Sequence, residues 1–559
     1  MSETVSTADR LADECLDLLF RVDPLWPSLL GVPGEHDRLL PDHAAATAAR
    51  NRAAFADLAA RAEALDAETL SERDVVTRDV VIQQARVAID LVDSRGVEIA
   101  VSDTLDAPVQ RLVSVLPMIS LTDTAKAEGY LNRLAAVGSY VDTTIERQRV
   151  GAADGLLPPG FLVEAGIAWA DRYLADLAAD PLRLAAEVDV PGFAAERDRL
   201  LTDVVRPAVR RYREFLAGEL RPRALPADRP GLCWLPGGEE AYAALLRVHT
   251  STDRGARELH DIGLRLVEEL AAEYREVGSR VFGSTDLGEI FTRLRTDPAL
   301  RWRDADELLD AARSAIARAE AVASKWFGRI PPQRCAVLPV PESEAEDGTI
   351  AYYVEPALDG SRPGRYYANT HRAAERSRHT SEAIAFHEAV PGHHFQLSTA
   401  LGLTELPLLR RVADVNAYTE GWGLYSERLA DEMGLYSDDV ARLGMLTQDS
   451  MRAARLVVDT GLHALGWSRE RAVEYFRENV PMPPLEIEAE IDRYAGLPAQ
   501  AVSYMVGRLE IERLRGMAER ELGPVFDIRR FHDVVLGGGN LPLSVLDTVV
   551  RDWVASQRG

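Results

Sequence analysis

Apolar positions recur at three- and four-residue spacing along most of the chain, and that period predicts a mainly α-helical protein. From Ala8 to Val22, Leu11, Cys15, Leu18 and Leu19 line one stripe. The same spacing marks residues 74–92, 122–148, 194–219, 238–248 and 255–280, then 303–325, 377–401, 408–432, 437–465 and 498–521. Proline and glycine punctuate these segments, as at Leu156-Leu157-Pro158-Pro159-Gly160 and Val480-Pro481-Met482-Pro483-Pro484. One region has a different rhythm. Gln333 to Val340, Thr349 to Val354 and Arg365 to Asn369 are short β-favouring runs broken by turns, and they predict a small sheet just ahead of the 377–401 helix. No repeat or low-complexity linker divides the chain. It reads as an N-terminal helical half, 1–230, and a second half, 231–559, intertwined as one domain.

The chemistry concentrates in that second half. Five of the eleven histidines lie between His371 and His394, and His387-Glu388-Ala389-Val390-Pro391-Gly392-His393-His394 holds three of them beside a carboxylate. A zinc-binding helix of the H-E-x-x-H type places two histidines four residues apart on one face, with the glutamate as general base. Here the fourth position after His387 is Pro391, which cannot bind metal and lacks the amide proton a helix needs. In a continuous helix His393 would point away from His387, and His394 would lie about 10 Å further along the axis. A bulge at Pro391-Gly392, equivalent to inserting two residues, returns His393 to the second-ligand position. His387 and His393 are therefore the expected metal ligands, with His394 as the alternative or as a supporting group.

A third ligand must come from elsewhere. Asn416 to Glu427 reads N-A-Y-T-E-G-W-G-L-Y-S-E, and Glu420 follows His393 by 27 residues, enough for one helix to end and the next to return. Tyr418, Trp422 and Tyr425 flank Glu420 and favour its burial. Glu427, seven residues on, shares nearly the same face and is placed to orient a ligating histidine.

The pattern H-E-x-x-P-G-H-H followed by E-G-W-x-x-Y-x-E resembles the bacterial family catalogued as domain of unknown function 885, which is grouped with the gluzincin metallopeptidases. Supporting segments are residues 234–242, 364–370, 501–507 and 536–542, so the resemblance extends over most of the chain. Gly423 stands where a small residue such as alanine is expected. The resemblance implies a fold similar to the angiotensin-converting-enzyme, thimet-oligopeptidase and thermostable-carboxypeptidase families: a large helical shell around a deep cleft, with a small sheet beside the metal helix. It further implies a sheet edge that pairs with an extended substrate, for which Tyr366, Tyr367 and Asn369 are the candidates. It also implies a tyrosine from the last third, Tyr504, that donates to a developing oxyanion, with His394 as a second candidate. Arg365 and Arg508 are possible partners for a substrate carboxylate. His249, His260 and His463 sit in amphipathic helices and read as packing residues.

Charge and cysteine content narrow the field. A net charge of −25 disfavours a nucleic-acid partner. Cys15, Cys233 and Cys335 are far apart and odd in number, which fits a reducing compartment. Met1 to Val5 is neither basic nor followed by an apolar run, and no stretch approaches the roughly 18 apolar residues of a membrane span. The expectation is a cytoplasmic protein without membrane partners. The functional reading is one zinc ion per chain, held by His387, His393 and Glu420, hydrolysing short peptides or small amides. Such an ion lowers the pKa of a bound water toward about 7; Glu388 takes the water's proton and delivers it to the leaving amine. A hydrolase of a small-metabolite amide or ester, and a non-catalytic peptide-binding protein, are the alternatives. Exo- or endo-cleavage and the oligomeric state stay open.

Overall fold

Ser6 accepts the Asp9 amide and starts the first helix, Thr7–Val22, which buries Leu11, Cys15 and Leu18 as the sequence stripe requires. The computed structural model describes residues 6–105, 107–345, 350–358, 360 and 362–558; Met1 to Val5 and Thr349 lie outside the described residues. The protein is mainly α-helical, with one three-stranded mixed sheet among those residues. No helix among them is long and apolar enough to cross a membrane.

Among the described residues, three apolar clusters fill the interior. One is built entirely between Leu25 and Leu220, around the long helix Thr124–Ala153. The largest runs from Leu11 to Val554 and joins the first helices to the last ones. The third lies between Met451 and Ala501.

The elements that carry the chemistry are α1 (Ala256–Phe282), β1 (Ala336–Pro339), β2 (Ala351–Val354), β3 (Arg365–Ala368), α2 (Ser381–Glu388), α3 (His393–Gly402), α4 (Asn416–Glu432), α5 (Asp439–His463), α6 (Pro484–Gly496) and α7 (Ser503–Leu522). The sheet has the order β1-β3-β2, with β1 parallel and β2 antiparallel to β3. This corrects one expectation. Tyr366 and Tyr367 lie on the central strand, whose backbone is paired on both sides, so they do not form an edge for an incoming peptide.

Helices α4 and α7 cross in close contact. A Cβ at Gly421 would lie 2.5 Å from the Gly507 backbone, and one at Gly507 would lie 1.7 Å from the Ala417 carbonyl. Only glycine allows this approach, and it brings Glu420 and Tyr504 to the same end of the crossing.

Candidate metal centre

The expected bulge is instead a full break. α2 ends at Glu388 and a new helix, α3, begins at His393. The Val390–Pro391 peptide is cis. Gly392 packs on the end of α2 so tightly that a Cβ there would sit 1.9 Å from the His387 carbonyl oxygen. The Trp422 indole donates to the Pro391 carbonyl at 2.9 Å, and the Phe395 amide donates back to Ala389. A bulge would keep one helical axis; proline at 391 removes the amide that could sustain it, and glycine at 392 permits the chain to restart.

This break places His393 beside His387, their rings 4.6 Å apart and nearly perpendicular. Both Nε2 atoms face Glu420 Oε2, at 3.5 Å from His387 and 3.3 Å from His393. One donor atom from each residue falls within 4.8 Å of the others, a candidate metal-binding group. Tetrahedral ligation with bonds of about 2.0–2.2 Å sets donor atoms about 3.3–3.6 Å apart, so the two histidine-to-glutamate separations fit a small divalent ion. The histidines are buried, whereas Glu420 keeps a fifth of its side-chain surface.

The surroundings orient the group. Glu427 is completely buried, and its Oε1 lies 2.8 Å from His387 Nδ1, which leaves Nε2 to face Glu420. Gly423 corrects the expectation of alanine: a Cβ there would meet the His387 ring at 2.7 Å. Burial alone would depress the His387 pKa, but hydrogen bonds to Glu420 and Glu427 overcome it and lift it to about 9. Burial likewise pushes Glu420 upward, and the His393 and His387 charges reverse this, holding it well below the usual carboxylate range.

The remaining predicted residues divide. Glu388 is half-buried at the end of α2, next to the candidate ligand His387. Tyr504 stacks against His387 with ring centroids 6.4 Å apart; burial and then the Glu420 charge raise its pKa. His394 leaves the group: its Nδ1 meets the Tyr353 hydroxyl at 2.9 Å and its Nε2 the Gln333 carbonyl at 3.0 Å. As the second residue of α3 it is rotated about 100° from His393, which rules out the alternative ligand. Tyr366 is buried beneath the sheet, where burial, then the charges of Glu388 and Cys335, raise its pKa. Tyr367 stacks on Tyr352 and accepts from Arg365. Asn369 is buried, donating to the Ala345 carbonyl and accepting from the His371 amide. Arg508 is committed to Asp449 and Glu512. His463 is a packing residue as expected, bridging the Leu232 amide and the Tyr494 carbonyl.

Sequence reasoning missed Trp422 as the clasp of the helix break and Tyr353 as the partner of His394. It also missed Arg452 and Arg455, which share one face of α5 with Gln448 and Asp459, at i, i+4, i+7 and i+11. That polar stripe was available as a signal.

The model of a bacterial protein family of unknown function, DUF885, matches residues 24–550. No curated protein matches the chain. Among solved structures, a "putative lipoprotein" from Colwellia psychrerythraea is similar with a TM-score of 0.90 and 26% identity, over 99% of this chain and 100% of that one. A "putative lipoprotein of unknown function" from Shewanella oneidensis shares the fold with a TM-score of 0.76 and 16% identity, over 98% of this chain and 100% of that one.

Proposed function

The chain belongs to the bacterial DUF885 family, and from its site we propose a zinc-dependent hydrolase that cleaves amide bonds of short peptides in a cleft of the helical shell. The observation that carries this reading is the approach of His387 and His393 Nε2 to Glu420 Oε2, at 3.5 and 3.3 Å, with Glu388 next in sequence to a ligand. His387, His393 and Glu420 hold the ion. When bound, zinc would supply a Lewis acid and lower the pKa of a water toward about 7. Glu388 is the general base: it takes a proton from the attacking water and returns it to the departing amine nitrogen. Glu427 fixes the His387 ring through Nδ1. Tyr504, stacked on His387, donates its hydroxyl proton as a hydrogen bond to the oxyanion.

The first test is metal content by mass spectrometry on native protein purified without chelator or a His-tag, beside His387→Ala. About one zinc per chain, lost in the variant, is the expected result. Glu388→Gln is expected to keep metal and fold and to lose hydrolysis of a peptide pool by about 10²–10⁴-fold. An undiminished rate would remove Glu388 as the base; no metal in either protein after zinc is offered would remove the whole reading.

Location is proposed from the relatives. The Colwellia protein, described as a "putative lipoprotein", matches this chain over 99% of its length, which favours the cell envelope over the cytoplasm expected from sequence. Fractionation of the native host distinguishes the two: recovery in the cytoplasmic fraction alone would restore the earlier expectation.

A further inference from the structure

Asp414 lies in the loop between the helix Leu408–Val412 and α4, six residues before Glu420. An aspartate just ahead of a helix ordinarily caps it. Here Val415 holds the cap position and no side chain caps α4. The Asp414 carboxylate makes no hydrogen bond or ion pair among the described residues. Arg111, the one cation whose charge acts on it, is taken by Asp23 at 2.6 Å. The backbone under this carboxylate is tied down at three points. The Ala413 amide donates to the Leu409 carbonyl, Asn540 donates to the Ala413 carbonyl at 2.8 Å, and Gln84 donates to the Asp414 carbonyl at 3.3 Å. One turn before Glu420, on the same face of α4, the Asn416 side-chain amide is also without a partner among those residues.

The place of Asp414 is read from what surrounds it. Its side chain is exposed to water, yet burial first, then the Glu420 charge, raise its pKa; Arg111 opposes the rise and Glu355 adds to it. A side chain that water reaches and protein crowds lines a recess. The charges it feels come from three directions: Glu420 on α4, Glu355 directly after β2, and Arg111 on the helix Pro108–Val115 of the N-terminal half. The recess therefore opens beside the metal group, between the two halves of the chain. From Asn416 to Glu420 the helix rises about 6 Å, and the two residues before it reach at most about 7 Å further. Less the reach of the Asp414 and Glu420 side chains, about one to three residues of an extended substrate span that gap.

We infer that Asp414, with Asn416 beside it, binds an ammonium group of the substrate one to three residues from the cleaved bond. An ammonium carries three donors and no acceptor, and a carboxylate with no protein donor accepts it through charge-assisted hydrogen bonds. The Asn416 amide, held by no partner, can turn its oxygen toward the same group. Anionic groups are disfavoured there by Asp414, Glu355 and Glu420 together. The inference deepens the hydrolase reading and rests on it for the position of the cleaved bond. Two sources carry the same chemistry: the free N-terminus of a short peptide and a lysine side chain.

Calorimetry on Glu388→Gln protein supplied with zinc separates binding from turnover. One pair of probes is trialanine and its N-acetylated form. The others are N-acetylated alanine tripeptides with lysine or norleucine at each position in turn. At least one ammonium-bearing probe is expected to bind about tenfold more tightly than its neutral counterpart. Asp414→Asn in the same background should remove that preference while leaving the melting temperature and the affinity for neutral probes unchanged, and Asp414→Glu should restore part of it. Selectivity for free trialanine would identify the N-terminus, and selectivity for lysine the side chain. Equal affinity within every pair, no binding of any probe, or a preference that survives Asp414→Asn would overturn the inference. Ammonium-selective binding that requires Asp414, in a wild-type protein that cleaves none of the probes, would keep the site and sink the hydrolase.

Discussion

Helix α5 carries two buried charge clusters a turn apart, and they are balanced in opposite ways. At Asp449 the carboxylate is completely buried and clasped by Arg428 on α4 and Arg508 on α7, the latter at 2.5 Å. Arg428 reaches on to Glu273 of α1 at 2.7 Å. Burial pushes the Asp449 pKa up, and the two arginines hold it below the usual carboxylate range. Every charge has its opposite. One turn further on, Arg452 Nε and Arg455 Nη1 are buried without a hydrogen-bond partner among the described residues. The same helix therefore holds one cluster that ties four helices together and one whose guanidinium donors are only partly paired. Buried charges that are fully paired lock helices together; those that are not carry an uncompensated desolvation cost.

Removing one partner from the balanced cluster should have the largest effect on folding. Asp449→Ala removes the carboxylate the two arginines share, leaving Arg428 only Glu273 and Arg508 only Glu512, so thermal or denaturant unfolding should report a loss of about 1.5–3 kcal/mol. A loss below about 1 kcal/mol would show that water reaches these arginines and would erase the contrast.

The candidate metal group lies between the two extremes: its two histidines face Glu420 and Glu427, and on the proposed reading a cation completes it. Glu427→Ala frees His387 Nδ1 from its buried partner, and zinc affinity measured by chelator competition should fall about 10–100-fold. Unchanged affinity would make Glu427 a packing residue.

The chelated protein should reveal the same group through pH. With His387 raised from 6.5 to about 9, its contribution to stability is full below about 6.5 and is lost as pH rises through about 9. Glu420 is held low, so its contribution is full above its ordinary value of 4.5 and is lost as pH falls through its depressed pKa. The melting temperature of chelated protein should therefore drop between pH 6.5 and 9, and zinc-loaded protein should lack that drop. A chelated protein whose stability is flat or rises over this window would disconnect His387 from its two glutamates.

The smallest stability effect belongs to the unbalanced cluster. Arg452→Gln removes a buried charge that forms no ion pair among the described residues, so unfolding free energy should change by less than about 1 kcal/mol or increase. A loss as large as that of Asp449→Ala would mean Arg452 is architecture after all.

Much of this was legible in the sequence, residue by residue. Helical periods placed most helices, since apolar spacing reports directly on which face is buried. The unusual density of histidine with Glu388, and the E-G-W-x-x-Y-x-E run, marked the three residues that converge. Spacing did not distinguish a bulge from a break at Pro391, because both bring His393 into range. It did not place Arg365, Tyr366 and Tyr367 on a central strand, because strand order depends on pairing between segments rather than on any one of them. Gly423 looked like a minor departure until the His387 ring proved to occupy the space of its Cβ.

What the sequence by itself determined is the helical class and the identity of the donor residues, because amphipathic period and side-chain chemistry are local properties. What only tertiary structure decided is which donors meet and which are left over. His394 turns to Tyr353 while His393 meets Glu420. Arg508 finds Asp449, and Arg452 finds no carboxylate among the described residues. Those outcomes depend on where separate helices cross, and a charge is satisfied or not only by what packing brings within a few ångströms of it.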